Sequence, residues 1–213
     1  MVEGLVSVVI PKASPRDDEV KLAQHSLSKQ TYDQVEFRIV PDREDRGANW
    51  ARNQGKDFAR GEFILFSDCD CEWVPDAIEK LVKALSRDPV ASYAYCGFRW
   101  GDQLRGVGPF VAAEVRGTSR FSTMSLFRSK NFPWFDEKLR RLQDWDLYLT
   151  LLERDGRLGV AVPLCLFSTP VREGMSHGSE KDLSWEDADR IVRKKHGLPV
   201  PQYAPEKSVG LKK

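Results

Sequence analysis

The sequence predicts an α/β fold: a mostly parallel central sheet flanked by helices. Three features carry this. From Val6 to Arg87, short apolar runs alternate with segments of helical spacing in the order β-α-β-α-β-α, the pattern of a parallel sheet covered by helices. The runs stop at proline or at an acidic turn, as buried strands do. The chain has 213 residues, 41% of them hydrophobic, enough for one domain with a real core.

The elements follow in order. Val6 to Ile10 is a strand stopped by Pro11, and Asp17 to Lys29 repeats Val20, Ala23 and Leu27 on a helical face. Val35 to Val40 alternates and stops at Pro41-Asp42. Asn49 to Arg60 reads as a helix with Asn49 as N-cap and Gly61 beyond its end. Phe63 to Phe66 is the third strand. In the helix Pro75 to Arg87, Ile78, Leu81, Val82 and Leu85 form one apolar face. The second half is less regular. Ala91 to Trp100 and Thr118 to Arg128 are expected strands, and Leu158 to Phe167 supplies one or two more around Pro163. Gln143 to Asp155 is an amphipathic helix. Ser184 to His196 is a helix with an N-cap pair, Ser184 and Asp187, and a stop at Gly197. With no repeat and no linker, residues 1–197 are expected to form one domain and 198–213 a flexible tail.

Bulk properties exclude several classes. Lys plus Arg total 33 and Asp plus Glu total 32, so nothing draws the chain toward nucleic acid. No apolar run approaches the ~20 residues of a membrane span. The opening Met1-Val2-Glu3-Gly4 lacks a basic region and a cleavage site, so no signal peptide is expected. The expected location is the cytoplasm, with a peripheral seat on a membrane as an option through the lysines at 194, 195, 207, 212 and 213, a short and scattered set. Cys69, Cys71, Cys96 and Cys165 are expected as reduced, buried thiols, since their spacing does not suit zinc.

The densest chemistry is Asp68-Cys69-Asp70, directly after the third strand. Two carboxylates spaced i, i+2 at a strand end repel unless something positive holds them. A divalent cation with oxygen ligands, bridging to phosphates, is the natural partner, and ligands of open α/β sheets bind beyond the carboxyl ends of strands. The alternative is a solvated turn.

Further segments stand in a telling order. Val6-Ser7-Val8-Val9-Ile10-Pro11 opens the chain. Ala51-Arg52-Asn53-Gln54-Gly55 precedes the run ending in Asp68-Cys69-Asp70, and Phe135-Asp136-Glu137 precedes Gln143-Asp144-Trp145-Asp146. Over about residues 5 to 177 this combination resembles a family 2 glycosyltransferase of the GT-A fold. The resemblance implies an inverting transfer from a nucleotide diphosphate sugar, of UDP or GDP type, to an acceptor hydroxyl on a carbohydrate, a lipid-linked sugar or a protein. It implies Asp144 as the general base, Asp70 as ligand of Mn²⁺ or Mg²⁺ with His177 as a further ligand, and Pro11, Asp42, Arg52 and Asp68 at the nucleotide. It also implies a smaller second sheet near the acceptor side, where Trp145 and Arg128 would lie. Taken alone, Asp144 and Asp146 equally suit the first turn of a helix, Trp145 suits a core, and His177 suits a surface loop that also carries Arg172.

The sequence departs from the family pattern in three places. Lys12-Ala13-Ser14-Pro15 lacks the usual aromatic, Pro41-Asp42 keeps one acid of two, and Gln143 replaces an acid before Asp144. These leave the nucleotide open more than the reaction. A sugar nucleotidylyltransferase would need a glycine-rich basic loop after the first strand, which Pro11 to Pro15 does not supply. A nucleotide-sugar binding protein with a decayed site is the non-enzyme alternative, and the joint presence of Asp68, Asp70 and Asp144 argues against it.

Overall fold

The structure, a computed structural model, describes residues 1–13, 17–106, 108–156, 158–171 and 183–203. His177, Arg172 and the end of the expected tail lie outside the described residues. Among the described residues, eight strands form one sheet: β1 (Val2–Ala13), β2 (Val35–Asp42), β3 (Gly61–Phe66), β4 (Glu72–Trp73), β5 (Tyr93–Trp100), β6 (Gln103–Arg105), β7 (Leu126–Arg128) and β8 (Gly159–Thr169). Their order is β2-β1-β3-β7-β5-β8-β4, with β6 hairpinned on β5. The helices are α1 (Asp17–Leu27), α2 (Ala48–Asp57), α3 (Ala77–Arg87), α4 (Ala112–Gly117), α5 (Gln143–Asp155) and α6 (Trp185–Lys195).

The α/β class holds, but the sheet is mixed. β1 runs parallel to β2 and β3, and β5 to β8, while β7 is antiparallel to both β3 and β5. The expected second sheet is instead continuous with the first among the described residues. Strand alternation explains the two cores. Val6, Val8, Ile10, Phe63 and Leu65 face a core shared with α1 and α3, whereas Val9, Ile64 and Phe66 face one shared with α5. Both faces are covered, so the strands read as unbroken apolar runs.

Several boundaries differ from expectation for physical reasons. β1 continues through Pro11 because β3 ends opposite Val9, so Pro11 keeps only β2 as a neighbour. β8 passes Pro163 by a register shift, with Cys96 opposite Val162 and Gly97 opposite Cys165. The expected strand from Thr118 shrinks to Leu126–Arg128, preceded by α4. Gly61 begins β3 rather than closing α2. A Cβ there would stand 2.4 Å from the Leu5 carbonyl oxygen, so only glycine permits this close strand approach. Among the described residues no helix is long and apolar enough to cross a membrane.

Candidate functional site

The candidate site lies beyond the carboxyl end of β3, where α2 and α5 converge. After Phe66 the chain turns tightly, Cys71 N–H donating to the Asp68 carbonyl at 3.2 Å. The Cys69 and Cys71 side chains pack into the core beneath, and burial pushes the Cys71 thiol up. Cys71 is therefore a protonated core thiol rather than a thiolate ligand. The two side chains fix the turn so that Asp68 opens to solvent while Asp70 sits 3% exposed beside it.

Helix α2 reads as a bracket for this turn. Asn49, Arg52 and Asn53 share one face by their i, i+3, i+4 spacing. Arg52, 2% exposed, donates from Nη2 to Asp68 Oδ1 at 2.6 Å. Asn49 is not the N-cap: that place is Gly47, at φ 105°. Its Nδ2 instead donates to the carbonyls of Asp136 and Leu139, both at 2.8 Å. Asn53 donates to the Phe135 carbonyl at 3.0 Å and accepts from Phe135 N–H at 3.0 Å. The two asparagines therefore fasten the loop that leads into α5, the helix carrying Asp144. Gly55 lets the helix lie directly on Val9, since a Cβ there would fall 2.2 Å from Val9 Cγ1.

Asp144 stands in the first turn of α5. Its carboxylate accepts from Ser119 Oγ and from Trp145 N–H, each at 2.8 Å. Burial pushes its pKa up; the Ser119 hydroxyl, backbone N–H groups and the Arg52 charge oppose this without cancelling it. Each carboxylate oxygen retains a second lone pair to accept a proton.

Two adjoining cavities join these groups. One, of about 220 Å³, is lined by Pro11, Ala13, Arg52, Asp68, Asp70 and Gln143. The other, of about 400 Å³, is lined by Arg52, Asp68, Ser119, Arg141, Gln143 and Asp144 among others. Arg52, Asp68 and Gln143 border both. A larger cavity, of about 680 Å³, lies apart between β2 and α2 and has no acidic residue in its lining.

The structure thus brings Pro11, Arg52, Asp68, Asp70 and Asp144 together. Three other residues expected at the site do not line these cavities. Asp42 turns its carboxylate into the loop before α2, accepting from Arg46 and Gly47 N–H at 2.9 and 2.7 Å. Trp145 is a core residue, 2% exposed, with its indole N–H on the Val115 carbonyl at 2.6 Å; the helix face that presents Asp144 outward points the next residue inward. Arg128 pairs opposite Phe63 near the start of β3, far along the strand from Asp68. There it donates to the carbonyls of Leu85 and Ala91 at 2.7 and 3.0 Å, satisfying the open end of α3. Asp146 is held by Lys195 and His196, so it clamps α6 onto α5. Sequence reasoning missed Ser119, Arg105 and Arg141, which sit in irregular segments or at element ends without a periodic signal.

Among the described residues no group of three or more His, Cys, Asp and Glu side chains could hold a metal ion. Asp68 and Asp70 nonetheless form a donor set of carboxylate oxygens, which fits Mg²⁺ or Mn²⁺ shared with substrate phosphates rather than an all-protein cage. 

Residues 8–136, more than half of the chain, match the model of the family described as "Glycosyl transferase family 2". The amylovoran biosynthesis glycosyltransferase AmsB of Erwinia amylovora is 28% identical over 197 residues, covering 80% of this chain and 64% of that protein. An uncharacterized glycosyltransferase of Haemophilus influenzae is 22% identical over 204 residues, 78% of this chain and 69% of that protein. The chain therefore spans about two-thirds of the length of these relatives. Among solved structures, S. aureus TarS 1-349 in complex with UDP-GlcNAc superposes with a TM-score of 0.71 at 15% identity, covering 90% of this chain and 66% of TarS 1-349. GalNAc-T7 with UDP, GalNAc and Mn²⁺ gives 0.63 at 15%, covering 89% and 47%. These likenesses establish the GT-A fold.

Proposed function

The chain belongs to glycosyl transferase family 2, and from that membership we propose that it moves a sugar from a nucleoside diphosphate to an acceptor hydroxyl, with inversion at the anomeric carbon. The observation that carries this reading is the arrangement of Asp70, Asp68, Arg52 and Asp144 along two adjoining cavities. UDP-GlcNAc in TarS, and UDP with Mn²⁺ in GalNAc-T7, support a UDP-type donor and a divalent cation on the same fold.

In this reading the diphosphate lies in the cavity of Pro11, Ala13, Asp68 and Asp70. Asp70, with Asp68, would hold Mn²⁺ or Mg²⁺, and the cation would neutralise charge on the departing diphosphate. Arg52 keeps Asp68 oriented and adds a fixed positive charge between donor and base. Asp144 takes the proton of the acceptor hydroxyl. The hydroxyl oxygen bonds to the anomeric carbon as the bond from that carbon to the diphosphate breaks, and the electron pair leaves with the nucleoside diphosphate. Ser119 holds the Asp144 carboxylate in place for this transfer.

Calorimetry of UDP with and without Mn²⁺ tests the donor side. Wild type should bind UDP in a Mn²⁺-dependent manner, and Asp70→Ala should lose that dependence while staying folded. Equal Mn²⁺-dependent affinity in the variant removes Asp70 from the site.

A further inference from the structure

We infer that the acceptor carries an oxyanion, a phosphate or a carboxylate, close to the hydroxyl that is glycosylated. This rests on the transferase reading above and names the substrate class for its acceptor side. The observation is an excess of guanidinium groups around Asp144. Arg105 and Arg141 line the cavity that holds Asp144, and Arg105 also lines a third, of about 190 Å³, that shares Asp144 and Ser119. Neither of those cavities includes Asp70, Pro11 or Ala13, so these two arginines stand on the acceptor's side of the cleft.

Their neighbours in charge are already compensated. Arg52 pairs with Asp68, Arg140 with Asp45 and Arg120 with Glu114. Arg105 and Arg141 have no carboxylate partner among the described residues. Arg105 stacks its guanidinium 3.9 Å over the Trp100 ring and donates only to Gln103 Oε1, at 2.8 Å. Arg141 has a buried Nε without an acceptor, and Gln143 beside it has a buried Oε1 without a donor. A desolvated guanidinium N–H left without an acceptor is costly, and its planar fork suits a phosphate or carboxylate. Asp144 does not fill that role: its oxygens accept from Ser119 and the Trp145 N–H, and Arg141 Nε makes no hydrogen bond to it. The free Gln143 oxygen suits a sugar hydroxyl at the same place. The exposed Trp185 ring borders the cavity, giving a sugar face an apolar wall.

The test is calorimetry on protein saturated with UDP and Mn²⁺, using glucose 1-phosphate, glucuronic acid and methyl glucoside as probes. The inference expects one or both anionic probes to bind about tenfold or more tightly than the neutral glycoside; which one does so identifies phosphate or carboxylate. Arg105→Gln, on the exposed hairpin, and Arg141→Gln should each reduce that preference severalfold and leave UDP affinity unchanged. Equal binding of the neutral and anionic probes, or no binding of any of them, overturns the inference while Mn²⁺-dependent UDP binding keeps the transferase reading. Loss of UDP affinity in both arginine variants also overturns it and assigns the arginines to the donor. Absence of UDP binding in wild type overturns both readings together.

Discussion

Gly55→Ala probes the packing that sets the whole site. The added Cβ would stand 2.2 Å from Val9 Cγ1 and 3.0 Å from Cγ2. Ordinary carbon–carbon contact begins near 3.5 Å, so the overlap is about 1.3 Å. Val9 is fully buried in β1, opposite Phe66 of β3, and has nowhere to withdraw. The helix must lift instead. Overpacking costs about 1–3 kcal/mol, and an overlap this deep belongs to the upper part of that range, about 2–3 kcal/mol, against a gain of about 1 kcal/mol from replacing glycine by alanine in a helix. A net loss of about 1–2 kcal/mol corresponds to a fall in Tm of about 2–8 °C for a chain of this length. The same lift stretches the 2.6 Å Arg52–Asp68 pair, so UDP affinity should fall alongside stability. Thermal and urea unfolding of Gly55→Ala, Val9→Ala and the double variant form a cycle. Val9→Ala removes both Cγ atoms, so the double variant should lose less than the sum of the singles. A Gly55→Ala protein at or above the wild-type Tm, or strict additivity in the cycle, refutes the packing argument.

Three further outcomes follow from the same geometry. Arg128→Met should lower stability by about 1–3 kcal/mol, the range for hydrogen bonds to a charged group, while UDP binding stays intact; a selective loss of transfer without loss of stability would return Arg128 to the acceptor side. His196 lies between Asp146 and Glu153 on α5, with Lys195 alongside on α6. Burial lowers its pKa, but the two carboxylate hydrogen bonds outweigh this and hold it raised. Its contribution is therefore full below the unfolded value near 6.5 and is lost as pH rises through the higher folded value. Urea unfolding from pH 6 to 9 should show wild type losing stability that His196→Gln never had; parallel curves would deny the linkage. Glu36, hydrogen-bonded by Ser7 and Arg60 and close to Arg38, has its pKa lowered to about 2 although burial alone would raise it. Its stabilising effect is present above the usual carboxylate range and is lost as pH falls toward 2, so Glu36→Gln should flatten the acid limb of unfolding; an unchanged acid limb would contradict this.

How much was legible depended on whether a residue's role was periodic. Phe63 to Phe66 announced a strand because both faces are buried, and Gln143 to Asp155 announced a helix because its apolar face repeats. Asp68 and Asp70 stood out because paired carboxylates at a strand end demand a partner. The Thr118 to Arg128 segment misled because alternation over a few residues fits both a strand and an irregular path, and only three residues of it pair with β3 and β5. The capping of α3 by Arg128 and the grip of Asn49 and Asn53 on residues 135–139 join positions 43 to 90 residues apart, and no local pattern reports such pairings. Trp145 shows a finer limit: neighbouring helix positions differ by about 100° in direction, so Asp144 at the cavity and Trp145 in the core are consistent with one motif.

The most direct measurement of the central claim is turnover by Asp144→Asn of the UDP-sugar that wild type consumes fastest in a donor panel, followed as UDP release together with the UDP Kd. The substitution keeps size and hydrogen-bonding reach to Ser119 but removes the base. The account predicts a fall in kcat of about 10²–10⁴ with UDP affinity nearly unchanged. In wild type the rate should fall in acid through a pKa above the ordinary carboxylate range, because burial favours the protonated form of Asp144, and this limb should vanish in the variant. Asp146→Asn should lower stability with a much smaller effect on kcat. Full turnover in Asp144→Asn, with its pH profile intact, would contradict the account.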